Sequence, residues 1–209
     1  YRPYTLEEYV GMLRAFLDEI GARQAALVGN CVGSAIAYRF ALQWPERVEK
    51  LVLFNVLTED TLAGGFLGLL VRATAPATGL RKAVRWLCGP VRVPRPVARW
   101  IVGKQMRPAT GPVAERLVGL YRQRAQVKAL LDILVDLDSY ERIDRARGCK
   151  GLPPAMLLWG ARNEVLPLER GKQLAGRLGL QLEVLPGGHL VMLECPQAVN
   201  ERLRRFLCS

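Results

Sequence analysis

The sequence predicts an α/β fold: a mostly parallel sheet with flanking helices and a long helical insertion. Three observations carry that prediction. Residues 25 to 34, Ala25-Ala26-Leu27-Val28-Gly29-Asn30-Cys31-Val32-Gly33-Ser34, pass from a short apolar run through Gly-x-Cys-x-Gly into Ala35-Ile36-Ala37-Tyr38-Arg39-Phe40-Ala41, which has helical spacing. Two further runs, Leu51-Val52-Leu53-Phe54 and Ala155-Met156-Leu157-Leu158-Trp159, are continuously apolar, as strands buried on both faces of a parallel sheet are. Between them, residues 56–151 lose the strand–helix alternation and read as helices broken by Pro76, Pro90, Pro94, Pro96, Pro108 and Pro112.

The elements follow in order. Thr5-Leu6-Glu7-Glu8 has the spacing of a capping box, and Leu6, Tyr9, Val10, Leu13, Phe16, Leu17 and Ile20 then recur at helical intervals until Gly21. The strand–turn–helix of residues 25–41 comes next, and Trp44-Pro45-Glu46-Arg47 turns the chain into the Leu51 strand. After the insertion, Pro153 to Gly160 returns to a buried strand. A helix is expected over 168–178, a strand over 181–185, and a last helix with Val199, Leu203, Phe206 and Leu207 on one face. The expected organisation is therefore a core part, 1–55, a helical insertion, 56–151, and a second core part, 152–209.

The 209 residues suffice for one domain with its own core. Five cysteines without regular spacing argue against a disulfide framework or a zinc site and for a reducing compartment, with the cytoplasm as default. No apolar stretch approaches the length of a membrane span. The net charge of +11 is concentrated in the insertion, which holds 17 basic and 8 acidic residues and no acid between Asp60 and Glu115. This is either a solvated basic surface or an attraction to something anionic: a carboxylate or thioester substrate, or a membrane surface. No nucleic-acid reading motif accompanies the charge.

Cys31 stands where the turn is sharpest. Glycines at 29 and 33 suggest that a Cβ at either site would strike the neighbouring strand or helix. The helix N-terminus favours a thiolate, and the Val32 N–H points where an oxyanion would form. Gly29-x-Cys31-x-Gly33 resembles the nucleophile elbow of the α/β-hydrolase family, with cysteine in the serine's place as in dienelactone hydrolases and polyhydroxyalkanoate synthases. Pro45-Glu46-Arg47-Val48 with Leu51-Val52-Leu53-Phe54-Asn55 is similar to the family's following strand.

That resemblance implies the C-terminal part of an α/β-hydrolase fold in which 56–151 is a lid, and it implies a longer parent, since the family's earlier strands have no counterpart here. It further implies the triad order Cys31, Asn163, His189, with Asn163 at the position the family usually gives to Asp. His189, in Pro186-Gly187-Gly188-His189, is the only histidine. A thiolate beside a protonated imidazole needs only an amide to orient the ring, so Cys31 and Asn163 are chemically consistent. Glu164, Glu59 and Asp60 are alternative acids. The function expected is acyl transfer to Cys31 from an ester or thioester, ending in hydrolysis or in transfer to an alcohol or amine, with no cofactor or metal. The alternative is a catalytically silent fold that binds through its basic lid.

Overall fold

The capping box at Thr5 forms: the Thr5 hydroxyl accepts the Glu8 N–H at 3.2 Å, and the Glu8 carboxylate accepts the Thr5 N–H at 2.7 Å. Helix α1 (Leu6–Glu19) starts from it and buries Leu6, Val10 and Leu17. These elements come from a computed structural model of the chain, which describes residues 4–74, 78–89, 91–148 and 151–208. Pro76 and Pro90, expected as breaks, lie outside the described residues.

Strands β1 (Ala25–Asn30), β2 (Val48–Phe54), β3 (Ala155–Gly160) and β4 (Leu182–Leu185) form one parallel sheet in the order β1-β2-β3-β4. Leu27 pairs with Leu51, Leu51 with Ala155 and Leu157 with Leu182. Strand β2 begins at Val48, three residues before its apolar run, because Glu49 and Lys50 occupy the sheet rim and need no burial. Strand β1 is an edge strand whose Val28 is 49 % exposed. Helix α2 (Val32–Gln43) follows β1 at once.

Between β2 and β3 run α3 (Glu59–Ala63), α4 (Gly68–Thr74), α5 (Thr78–Cys88), α6 (Arg95–Gln105), α7 (Gly111–Tyr121), α8 (Arg124–Val135) and α9 (Leu137–Arg145). After β3 come α10 (Leu168–Leu178), ended by Gly179 in the left-handed region, then α11 (Val191–Glu194) and α12 (Pro196–Leu207). Packing does not follow the sequence blocks. The main core joins the sheet to α1, α2 and α10, and it also takes in Leu62 of α3 and Leu137, Tyr140 and Ile143 of α9. The opposite sheet face packs Val52, Phe54 and Leu158 on α11 and α12. Helices α6 and α7 hold a small core of their own through Ala98, Val102, Ala114 and Val118.

Helix α5 is turned inside out. Arg81 is fully buried and bonded to Glu59 at 2.6 Å and to Asp138 at 2.5 Å, while Arg85 pairs with Asp132. Leu80, Trp86 and Leu87 face outward instead. Glu59 and Asp132 are largely buried carboxylates, so the arginines that neutralise them must turn inward. Arg81→Ala is therefore expected to cost about 2–3 kcal/mol, because it takes the arginine from the largely buried Glu59 carboxylate. A lowered Tm, with earlier proteolysis between α4 and α6, checks this.

Candidate active site

Cys31 joins β1 to α2 with φ 57° and ψ −115°, a region that residues with a Cβ rarely occupy. Several bonds hold it there. The Cys31 N–H donates to the Phe54 carbonyl at 3.0 Å, and the Cys31 carbonyl accepts from Ala35 and Leu57. The Ser34 hydroxyl lies 2.7 Å from the carbonyl oxygens of both Gly29 and Phe54, donating to one at a time. A Cβ at Gly29 would sit 2.4 Å from the Gly33 carbonyl, so glycine is obligatory there. At Gly33 a Cβ would meet nothing within 4 Å, so the steric expectation is corrected for that glycine.

The other loops are gathered by Asn55, fully buried and itself at φ 46°. Its Nδ2 donates to Asn30 Oδ1 and to the His189 carbonyl, both at 3.0 Å. Its Oδ1 accepts from the Gly160 N–H at 3.1 Å and from Asn163 Nδ2 at 3.0 Å. One carboxamide thus links the residue before Cys31, the end of β3, the Asn163 loop and the histidine loop. A Cβ at Gly160 would lie 2.0 Å from the Gly188 carbonyl, so the β3 end and the histidine loop are in van der Waals contact. Sequence reading gave Asn55 only as the end of a strand. Its one signal there was a buried-type amide closing a continuous apolar run.

Asn163 is buried but does not reach the imidazole. Its Oδ1 accepts the N–H groups of Val165 and Leu166, and its Nδ2 is spent on Asn55. The expected orientation of the ring by Asn163 is thus corrected to an indirect link, through Asn55 to the backbone of His189. The alternative acids are also engaged elsewhere. Glu164 pairs with Lys104 and Arg107, Glu59 with Arg81, and Asp60 with Arg170 and Arg177. Among the described residues, His189 Nδ1 has no hydrogen-bond partner.

Burial governs both reacting groups. It pushes the Cys31 thiol up to about 12, only partly opposed by the Val32 N–H, and it draws His189 down to about 4. A preformed thiolate–imidazolium pair is therefore not the resting state: both groups are neutral near pH 7. Two residues that sequence reading missed complete the surroundings. Glu194 accepts the Gly188 N–H at 2.7 Å beneath the histidine loop. Gln105 of α6 accepts the Leu190 N–H at 3.0 Å and donates to the Tyr121 hydroxyl at 2.6 Å. Burial raises the Tyr121 phenol, partly opposed by its hydrogen bond with Gln105. No group of three His, Cys, Asp or Glu among the described residues is placed to hold a metal ion.

A strained residue at the C-terminal end of a parallel strand, beside a loop that presents a buried histidine, is the arrangement of a hydrolytic enzyme of the α/β class. The profile described as "Alpha/beta hydrolase family" matches residues 1–202, and the chain belongs to that family. A 2-hydroxy-6-oxononadienedioate/2-hydroxy-6-oxononatrienedioate hydrolase of Comamonas testosteroni is 26% identical over 215 residues, covering 98% of this chain and 72% of the relative. A 2-hydroxy-6-oxo-6-phenylhexa-2,4-dienoate hydrolase of Burkholderia cepacia is 25% identical with the same coverage. Among solved structures, a hydrolase from Pseudomonas aeruginosa superposes with a TM-score of 0.75 at 24% identity, over 100% of this chain and 74% of that one. The enol-lactonase from Burkholderia xenovorans gives 0.75 at 16% identity, over 99% and 74%.

Two outcomes are expected. Asn55→Ala should cost about 3 kcal/mol or more in urea unfolding, because it leaves buried partners of three loops unpaired. The unfolded chain protonates His189 near 6.5 and the folded chain only near 4. Stability present above pH 6.5 is therefore lost as pH falls towards 4, by about 3 kcal/mol, and that slope should flatten in His189→Gln.

Proposed function

We propose that the chain hydrolyses an ester or thioester through acyl transfer to Cys31, with His189 as base and then acid. The observation that carries this reading is the strained backbone of Cys31, held at the same sheet end as the histidine loop by Asn55. Because both groups start neutral, the first step is general-base catalysis. As the sulfur bonds to the carbonyl carbon, the imidazole takes the thiol proton, and the carbonyl π pair moves to the oxygen facing the Val32 N–H. Collapse expels the alcohol or thiol, which receives the proton from the imidazolium. Water deprotonated by His189 then releases the acid and restores the thiol. An alcohol or amine in place of that water would make the same site an acyltransferase.

Asn163 is a positioning residue in this reading, acting through Asn55. The helices between β2 and β3 serve as the lid, with Gln105 and Tyr121 closing over the histidine loop. The Comamonas and Burkholderia relatives are named for acidic oxo-dienoates, which supports an anionic substrate beside this basic insertion. The outward Leu80, Trp86 and Leu87 of α5 support a membrane surface as a further contact.

A second reading has its own observation. Without a partner at Nδ1, the imidazolium formed during attack gains no stabilisation from a carboxylate, which favours a silent binding fold. Mass spectrometry after incubation with an activated aryl ester separates the two. The hydrolase reading expects an acyl adduct on Cys31, none in Cys31→Ala, and acylation slowed about 10²–10⁴-fold in His189→Ala. An unmodified Cys31, with aryl ester turnover unchanged in Cys31→Ala, would favour the silent fold.

A further inference from the structure

A cavity of about 690 Å³ opens at the turn between α7 and α8, lined by Arg92, Gly119, Arg122, Gln123, Arg124 and Ala125. Three of these six residues are arginines and none is acidic. The contrast with neighbouring arginines is specific. Arg81 and Arg85 are neutralised by Glu59, Asp138 and Asp132; Arg95 and Arg99 share Glu115; and Arg107 is held by Glu164. Among the described residues, Arg92, Arg122 and Arg124 have no carboxylate partner, and Arg122 Nε is buried with no hydrogen-bond acceptor. With Nε enclosed, the Nη groups of Arg122, which carry no hydrogen bond among the described residues, are left for an acceptor that a ligand supplies.

The backbone adds to the same demand. Helix α8 spans 12 residues and opens onto this cavity, with no acidic residue in its first turn and no side-chain bond from its N-cap Gln123. Its first N–H groups and positive dipole end are thus left for an outside acceptor. Guanidinium forks lining one cavity and a helix N-terminus suit a tetrahedral dianion, which offers several acceptor oxygens in different directions, better than a planar carboxylate.

We propose that the Arg92, Arg122 and Arg124 cavity binds a phosphate-type anion, a phosphoryl or pyrophosphoryl group. Arg122 directly follows Tyr121, whose hydroxyl bonds Gln105 beside the histidine loop. Resting on the proposed acyl chemistry, the anion is the phosphorylated end of the ester or thioester substrate, with its acyl end towards Cys31.

Calorimetric titration of the full chain with inorganic pyrophosphate tests the cavity independently of catalysis. Saturable binding is expected, weakened about tenfold or more in each of Arg92→Met, Arg122→Met and Arg124→Met. Arg122→Lys should lose an intermediate amount, because it keeps the charge without the fork. Arg205→Met, at an exposed pair with Glu201 on α12, should bind as the unaltered chain does. Absence of binding, equal binding by Arg122→Met, or equal affinity for a dicarboxylate such as succinate would overturn the proposal. Pyrophosphate binding without any acyl adduct on Cys31 would uphold the cavity and remove only its assignment to an acyl substrate.

Discussion

Everything at the C-terminal end of the sheet depends on the Asn55 carboxamide. A primary amide offers two donors and two acceptor positions, and here all four are used, on partners from three segments of the chain. Because the residue is fully buried, no water can replace a lost partner, so the network is worth most when complete. The geometry follows from that completeness. The residue preceding Cys31 is fixed against the carbonyl of His189, and Asn163 braces the amide from the far side. The positive φ of Asn55 is tolerated because the amide bonds define its position so fully.

The site's electrostatics reflect a second constraint, that of enclosure. A helix N-terminus and the Val32 N–H favour a thiolate at Cys31, yet removal from water outweighs them and raises the thiol instead. The same enclosure lowers His189. Each group is held in the protonation state that costs least to bury, which for an imidazole is also the state able to accept a proton.

The fold was legible where one local pattern decides one element. The capping box at Thr5, the continuous apolar run of β2 and the helical spacing of α10 each depend on neighbours within a few residues, so the sequence contains their cause. The site was legible only in part. Gly29 and Cys31 belong to a turn whose geometry is local, and His189 was marked by its glycines. The role of Asn163 was not legible, because its partner Asn55 lies 108 residues away and nothing in either residue announces the bond. Glu59, Asp60 and Glu164 looked available as acids because the arginines and lysine that occupy them come from distant helices. The orientation of helix α5 was not legible for a similar reason: buried carboxylates elsewhere decide which of its faces turns inward.

The insertion's attachment has a consequence for recombination. Helix α9 contributes Leu137, Tyr140 and Ile143 to the core that the sheet also builds, and Asp136 just before it accepts the Leu6 N–H of α1 at 2.6 Å. Asp60 and Asp144 tie the two ends of the insertion to Arg177 of α10. Crossovers placed at the β2 and β3 ends would therefore cut through shared apolar packing and strand the first turn of α1. Among the described residues, the α6–α7 hairpin carries a small core of its own and so has the makings of an exchangeable part. Grafts that vary specificity while preserving the scaffold belong there, inside the insertion and not at its borders.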